Sequence, residues 1–250
     1  KITEAYKLVL EYTPFPGAVC GSVCPNLCMD DCTRGRLDLA VQIGQLGRCS
    51  ADVTLPGPAV KSGKQVAVIG GGAAGLTAAW QLIRRGHAVT VFEADAKVGG
   101  KMEQAIPRSR LSPAILAREI DRIKEQGVAF KPHSKIDQAA LTEIRQKFDA
   151  VVIATGGHVA RLISCPGSER LVKGLDFLKA INRGENPRVG RRVIVIGCGN
   201  SGMDAAVGAY QMGAEKVTLI DVRQPAADQK EIEHVEELGG VLRWPVYTKE

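Results

Sequence analysis

The chain has 250 residues, enough for two modest domains with a core each, and a composition of 45% hydrophobic and 24% charged residues excludes a disordered polypeptide. The net charge of +6 is spread over interleaved Lys, Arg, Asp and Glu, and only 4% of residues are aromatic, which argues against a nucleic-acid surface. Residues 66–83 approach membrane-spanning length without a charge, but Gly and Ala fill every position from Gly70 to Gly75, so a strand, a loop and a helix start are predicted there and no membrane span.

Residues 1–57 read as a helical, cysteine-bearing segment. It shows no signal peptide, since residues 1–12 lack a basic start followed by an apolar run, and it closes with the loop Leu55-Pro56-Gly57-Pro58. After the polar stretch Lys61-Ser62-Gly63-Lys64, Gln65–Ile69 is a valine-rich predicted strand. A glycine loop, a helix over 73–85 and a strand over 88–93 follow, which is the crossover unit of a parallel sheet. Helices over 113–126 and Gln138–Lys147 flank a short strand at Ala129–Lys131. Residues 150–154 are unbroken apolar, the pattern of a buried parallel strand.

Beyond Pro166-Gly167 and a helix ending near Asn182 the pattern starts again. A strand at Arg192–Ile196, a helix over 201–212, a strand over 216–221, a helix over 228–238 and a third strand over 241–247 are predicted. The predicted fold class is α/β, with two Rossmann-like dinucleotide-binding domains, 64–158 and 159–250, behind the segment 1–57.

Each repeat opens on a glycine fingerprint. Gly70-Gly71-Gly72-Ala73-Ala74-Gly75 and Gly197-Cys198-Gly199-Asn200-Ser201-Gly202 both follow a predicted strand and open a predicted helix. A dinucleotide pyrophosphate needs helix-start amides with no side chain in the way. The first glycine makes the turn, the second admits the phosphates and the third lets helix and strand close up. Glu93 stands 18 residues after Gly75 and Asp221 19 after Gly202, each at a strand end where a carboxylate can accept from ribose hydroxyls.

The pair Gly99-Gly100 and the strand end Ala154-Thr155-Gly156-Gly157 resemble the FAD domain of the two-dinucleotide-domain flavoproteins. This resemblance implies FAD at the first fingerprint, with Thr155 and Gly156 at the crossing between domains, and a nicotinamide dinucleotide at the second. Asp221 favours NAD by repelling a 2′-phosphate, while Arg223 offers that phosphate a partner and keeps NADP open.

Four of the seven cysteines, Cys20, Cys24, Cys28 and Cys32, fall at every fourth position within thirteen residues. Such crowding points to a reducing, cytoplasmic setting and to metal. Thiolates are the ligands of iron–sulfur clusters, so a [4Fe-4S] cluster is expected, with zinc or buried structural thiols as alternatives. No C-x-x-C pair follows Cys49, which disfavours a flavin disulfide reductase.

Together with Arg34-Gly35, Ile106-Pro107-Arg108-Ser109-Arg110-Leu111, Arg118-Glu119-Ile120 and Gly199-Asn200-Ser201-Gly202-Met203-Asp204, the cysteine run and first fingerprint are similar to the glutamate synthase small-subunit family. That family includes the N-terminal half of dihydropyrimidine dehydrogenase and NAD(P)H-linked electron-bifurcating subunits. The resemblance implies hydride transfer from NADH to FAD and electrons leaving through the cluster to a partner domain or subunit of a hetero-oligomeric complex. A non-catalytic cofactor-binding or assembly subunit is the alternative. Hydride transfer requires no side-chain acid or base, so no catalytic residue is expected. Two departures stand out. Gly47 occupies the place of a glutamine cluster ligand in dihydropyrimidine dehydrogenase, and the sequence stops at Glu250, so by the resemblance the nicotinamide and FAD sites are expected to lack their C-terminal part.

Overall fold

The computed structural model describes residues 1–49, 53, 55, 57, 60–159, 163 and 165–247; Pro56 and Pro58 of the expected loop lie outside them. The chain divides into two compact units, Lys1–Glu103 with Arg108–Gly157, and Gln104–Pro107 with His158–Glu250.

The first unit opens with α1 (Ile2–Tyr12), a π-helical turn (Pro16–Val23), α2 (Leu27–Asp30), a 3-10 turn (Thr33–Arg36) and α3 (Ile43–Arg48). Continuous helix fails here because Pro14, Pro16 and Pro25 lack the amide that an α-helical ladder requires. Then follow β1 (Gln65–Ile69), α4 (Ala73–Arg84), β2 (Ala88–Phe92), α5 (Lys101–Gln104), α6 (Pro113–Glu125), β3 (Ala129–Lys131), α7 (Gln138–Lys147) and β4 (Ala150–Ile153). The four strands make one parallel sheet in the order β3-β2-β1-β4.

Strand β1 is central, and Val66 to Ile69 are all buried. Strand β4 departs from expectation. Among the described residues it pairs in parallel with β1 alone, and as an edge strand it leaves Ile153 67% exposed, so its apolar run does not mean full burial.

Helix α4 buries Leu76, Ala79, Trp80 and Ile83, a stripe at helical spacing. Trp80 is fully buried, and its indole N–H donates to the Leu10 carbonyl at 2.7 Å, which satisfies the ring's polar atom and seats α1 on α4. Arg84 strengthens this joint by donating to the carbonyls of Leu10 and Glu11.

The second unit continues with a 3-10 turn (Ser168–Arg170), α8 (Gly174–Asn182), β5 (Arg192–Ile196), α9 (Asn200–Gln211), β6 (Lys216–Ile220), α10 (Gln229–Glu237) and β7 (Val241–Arg243). Its parallel sheet runs β5-β6-β7. Met203, Ala206 and Ala209 of α9 pack with Val217 and Leu219 of β6 and Val235 of α10, the alanines permitting close helix–sheet approach. The last strand is shorter than the sequence suggests, because it stops at Arg243 before Pro245, which has no amide to donate to a ladder.

Candidate functional site

The two fingerprints fold into the same loop. Gly70 and Gly197 end their strands at φ +105° and +109°, a conformation that disfavours side chains. Gly75 and Gly202 lie in the first turns of α4 and α9, where a Cβ would overlap the carbonyl oxygen of Gly70 or Gly197. Between them Gly72 and Gly199 are the helix N-caps, and neither cap makes a side-chain hydrogen bond. The helix-start amides of Ala73 and Ala74, and of Asn200 and Ser201, stand at exposed positions where an anion is favoured by the helix dipole. Asn200 also accepts from the Asp228 amide through Oδ1 at 2.8 Å, which ties the second loop to the start of α10.

Each strand-end carboxylate turns back onto its own loop. Glu93, 7% exposed, accepts from Gly71 N–H at 2.8 Å and from Asp95 N–H at 2.9 Å. Asp221 accepts from Cys198 N–H at 2.7 Å and from Arg223 N–H at 3.1 Å, and the Cys198 amide leads in holding its carboxyl below the ordinary value. Sequence spacing assigns both to ribose hydroxyls; in the folded chain they brace the glycine loops, with lone pairs left over. Cys198 is fully buried in the core of the second unit, and burial, with Asp221 adding its charge, pushes its thiol up to about 11.

The first loop has close company. Gly99 and Gly100, at φ +123° and +52°, bring their backbone against Gly72, and a Cβ on Gly100 would lie 2.8 Å from the Gly72 Cα. Thr155 and exposed Gly156 follow β4, and the Thr155 Cα would be 3.0 Å from a Cβ on Gly70. Side chains at Gly72 or Gly100 would fill this cradle, so the residues fit the pyrophosphate of FAD. The second loop is open, with nothing among the described residues within 4 Å of a Cβ at Gly197 or Gly199, and it fits a nicotinamide dinucleotide with exposed Arg223 nearby.

The cysteine segment closes on itself by backbone approaches that glycine permits. A Cβ on Gly44 would lie 2.9 Å from the Cys20 carbonyl, and one on Gly21 would lie 2.6 Å from Arg48 Cγ, so α3 lies tightly across the π-helical turn. Cys20, Cys24 and Cys28 are near enough for Cys24 and Cys28, after burial, to push the Cys20 thiol up. Cys32 stands at the head of the 3-10 turn, where hydrogen bonding with the backbone of Val41 and Arg34 holds its thiol down. Among the described residues no three Cys, His, Asp or Glu side chains stand in a metal-binding arrangement, and all seven cysteines are free. Four cysteines within thirteen residues nevertheless supply the thiolate donors that an iron–sulfur cluster takes.

One residue of this region was not assigned a role from sequence. Glu119, 1% exposed on α6, accepts from Gly17 N–H at 2.7 Å and from Ala18 N–H at 2.9 Å. Burial raises its carboxyl above the ordinary value, against the pull of those amides and of Arg122. The available clue was a charge on the apolar stripe between Leu116 and Ile123, both buried.

Paired parallel sheets with a glycine-capped helix at each first crossover, one loop enclosed and one open, define a dinucleotide-binding oxidoreductase. Residues 64–238 match the pyridine nucleotide-disulphide oxidoreductase family, and residues 1–56 match the dihydropyrimidine dehydrogenase domain II, 4Fe-4S cluster family. The chain belongs to the pyridine nucleotide-disulphide oxidoreductase family, and the two matches indicate FAD, NAD(P) and a 4Fe-4S cluster as its cofactors.

It is 35% identical over 89% of its length to the NADP(+)-dependent formate dehydrogenase subunit beta of Moorella thermoacetica, covering 36% of that protein. It is 31% identical over 98% of its length to the glutamate synthase [NADPH] small chain of Azospirillum brasilense, covering 56%. To the NAD-dependent dihydropyrimidine dehydrogenase subunit PreT of Escherichia coli K12 it is 30% identical over 89%, covering 57%. The chain thus spans between about a third and somewhat over half of these relatives. A 2-naphthoyl-CoA reductase structure shares the fold over 84% of this chain and 31% of its own, with a TM-score of 0.62 and 21% identity. No helix among the described residues is long and apolar enough to cross a membrane.

Proposed function

We propose that this chain is the electron-input part of a cytoplasmic oxidoreductase complex, taking a hydride from NADH onto FAD and passing electrons through a [4Fe-4S] cluster to a partner domain or subunit. The observation that carries this reading is the joining, in one compact unit, of the enclosed glycine loop with the four-thiol segment. Flavin supplies the conversion between a two-electron donor and single-electron carriers.

The residues of the chain bind and orient. Gly70, Gly72, Ala73, Ala74 and Gly75 present helix-start amides to the FAD pyrophosphate, Glu93 braces them and meets the ribose, and Gly99, Gly100, Thr155 and Gly156 border the same site. Gly197, Gly199, Asn200, Ser201 and Gly202 do the same for the nicotinamide dinucleotide, with Asp221 against its ribose. Cys20, Cys24, Cys28 and Cys32 would hold the cluster. The relatives that are named as subunits or as a small chain support a partnered role.

NADPH is the second reading. Arg223 is exposed two residues beyond Asp221, and the Moorella and Azospirillum relatives carry NADP(+) or NADPH in their names. Anaerobically purified chain should hold iron and sulfide, absorb at about 450 nm from its flavin, and bleach with NADH. Full flavin and iron with no bleaching by either nicotinamide would leave the assembly-subunit reading in its place. Faster bleaching by NADPH than by NADH would favour NADPH as the donor, with Arg223 as the partner of its 2′-phosphate.

A further inference from the structure

Two functional loops of the first unit meet on one helix. The Ile120 side chain of α6 approaches the glycine pair that faces Gly72, its Cδ1 3.6 Å from where a Cβ on Gly99 would stand. The adjacent Glu119 carboxylate holds the amides of Gly17 and Ala18, at the head of the turn that carries Cys20. The first amides of a helix have no acceptor within it, and Phe15 at the N-cap offers no side-chain bond, so Glu119 caps this turn from a different element. Both carboxylate oxygens accept from N–H groups, an arrangement that suits the ionised form, and Arg122 one turn along α6 supplies the opposite charge. A position on an apolar stripe that served packing alone would carry a hydrocarbon side chain without the desolvation cost of a carboxylate.

We propose that Glu119 is a positioning residue for electron exit: it fixes the Cys20-bearing turn against the flavin-binding unit, and its negative charge lowers the reduction potential of the cluster held by those thiols. This rests on the reading of the cysteine segment given above. One-electron reduction adds a negative charge to the cluster, and a carboxylate fixed in a poorly solvated place beside the turn opposes that charge more than an exposed one would. Ile120 gives the same helix a contact with the flavin loop, so a shift of α6 moves both ends of the route together.

The test uses the whole chain in wild-type, Glu119→Gln and Glu119→Ala forms. Glu119→Gln keeps a carbonyl acceptor and removes the charge. It is expected to retain wild-type flavin, iron and sulfide while the cluster midpoint, followed by redox titration with electron paramagnetic resonance, moves upward. Glu119→Ala strands two buried amides, and in metal-free protein Cys20 is expected to alkylate roughly tenfold faster, by mass spectrometry, as the turn opens locally, with Cys165 unchanged.

An unmoved midpoint in Glu119→Gln with a full cluster overturns the proposal, and so does unchanged Cys20 alkylation in Glu119→Ala. If the alanine variant does not fold, the alkylation rate of Glu119→Gln, expected to rise less, is judged in its place. A wild-type chain that takes up no iron overturns the functional reading underneath, and Cys20 alkylation alone then decides whether Glu119 holds the turn.

Discussion

The two glycine loops share a backbone and differ in their surroundings. In both, a positive-φ glycine ends the strand, a third glycine in the first helical turn clears the carbonyl of the first, and a strand-end carboxylate braces the loop. Around Gly72 the chain adds Gly99 and Gly100 and buries Glu93, whereas Gly197 and Gly199 face open space and Asp221 is only half-buried. The six-residue fingerprint therefore encodes the turn, and residues tens of positions away encode how closely the loop is surrounded.

The largest expected effect tests what the loops share. Gly75→Ala and Gly202→Ala each drive a methyl into a backbone carbonyl, and each should destabilise its own unit by more than about 3 kcal/mol in denaturant titrations. A mild effect at either position would break the equivalence. Next comes the difference between them. Gly197→Ala carries only the conformational cost of its positive φ, about 1–3 kcal/mol. Gly70→Ala adds an overlap with the Ala154 carbonyl and should cost more, as compared by the shift in unfolding midpoint.

The smallest effects come from the braces. Glu93→Gln weakens two charge-assisted bonds in a buried place without removing the acceptor and should cost about 0.5–1.5 kcal/mol, against less for Asp221→Asn nearer solvent. The pH dependence has a definite sign. Since the folded pKa of Asp221 lies below its unfolded value of about 3.9, its contribution is complete at neutral pH and is lost as pH falls below that value through the folded one. Thermal melts of wild type and Asp221→Asn should therefore converge in acid; a gap that persists there would assign the difference to packing.

The loops were legible in the sequence because their requirements are local. Valine-rich Gln65–Ile69 ends where Gly70 must turn, and that strand has the bounds its composition predicts. Exposure of β4 was not legible, since an apolar run looks alike at the centre and edge of a sheet, and the neighbour that would bury it is a matter of topology. The bracing role of Glu93 and Asp221 was half-legible: spacing located the carboxylates, but the amides they hold depend on how the strand end folds back. Glu119 was the hardest. Its partners lie 102 and 101 residues away, so a charge on the apolar stripe of α6 marks the position but not the turn it caps.

The joint between α1 and α4 carries a consequence for how such modules are joined and separated. Trp80, Gln81 and Arg84 grip the carbonyls of residues 10–12, and Glu119 grips the amides of residues 17 and 18, so the thiol-bearing segment is held by contacts and not by its peptide link to β1 alone. A chain encoded in two pieces, cut between Cys49 and Lys64, would still present the surfaces needed to reassemble.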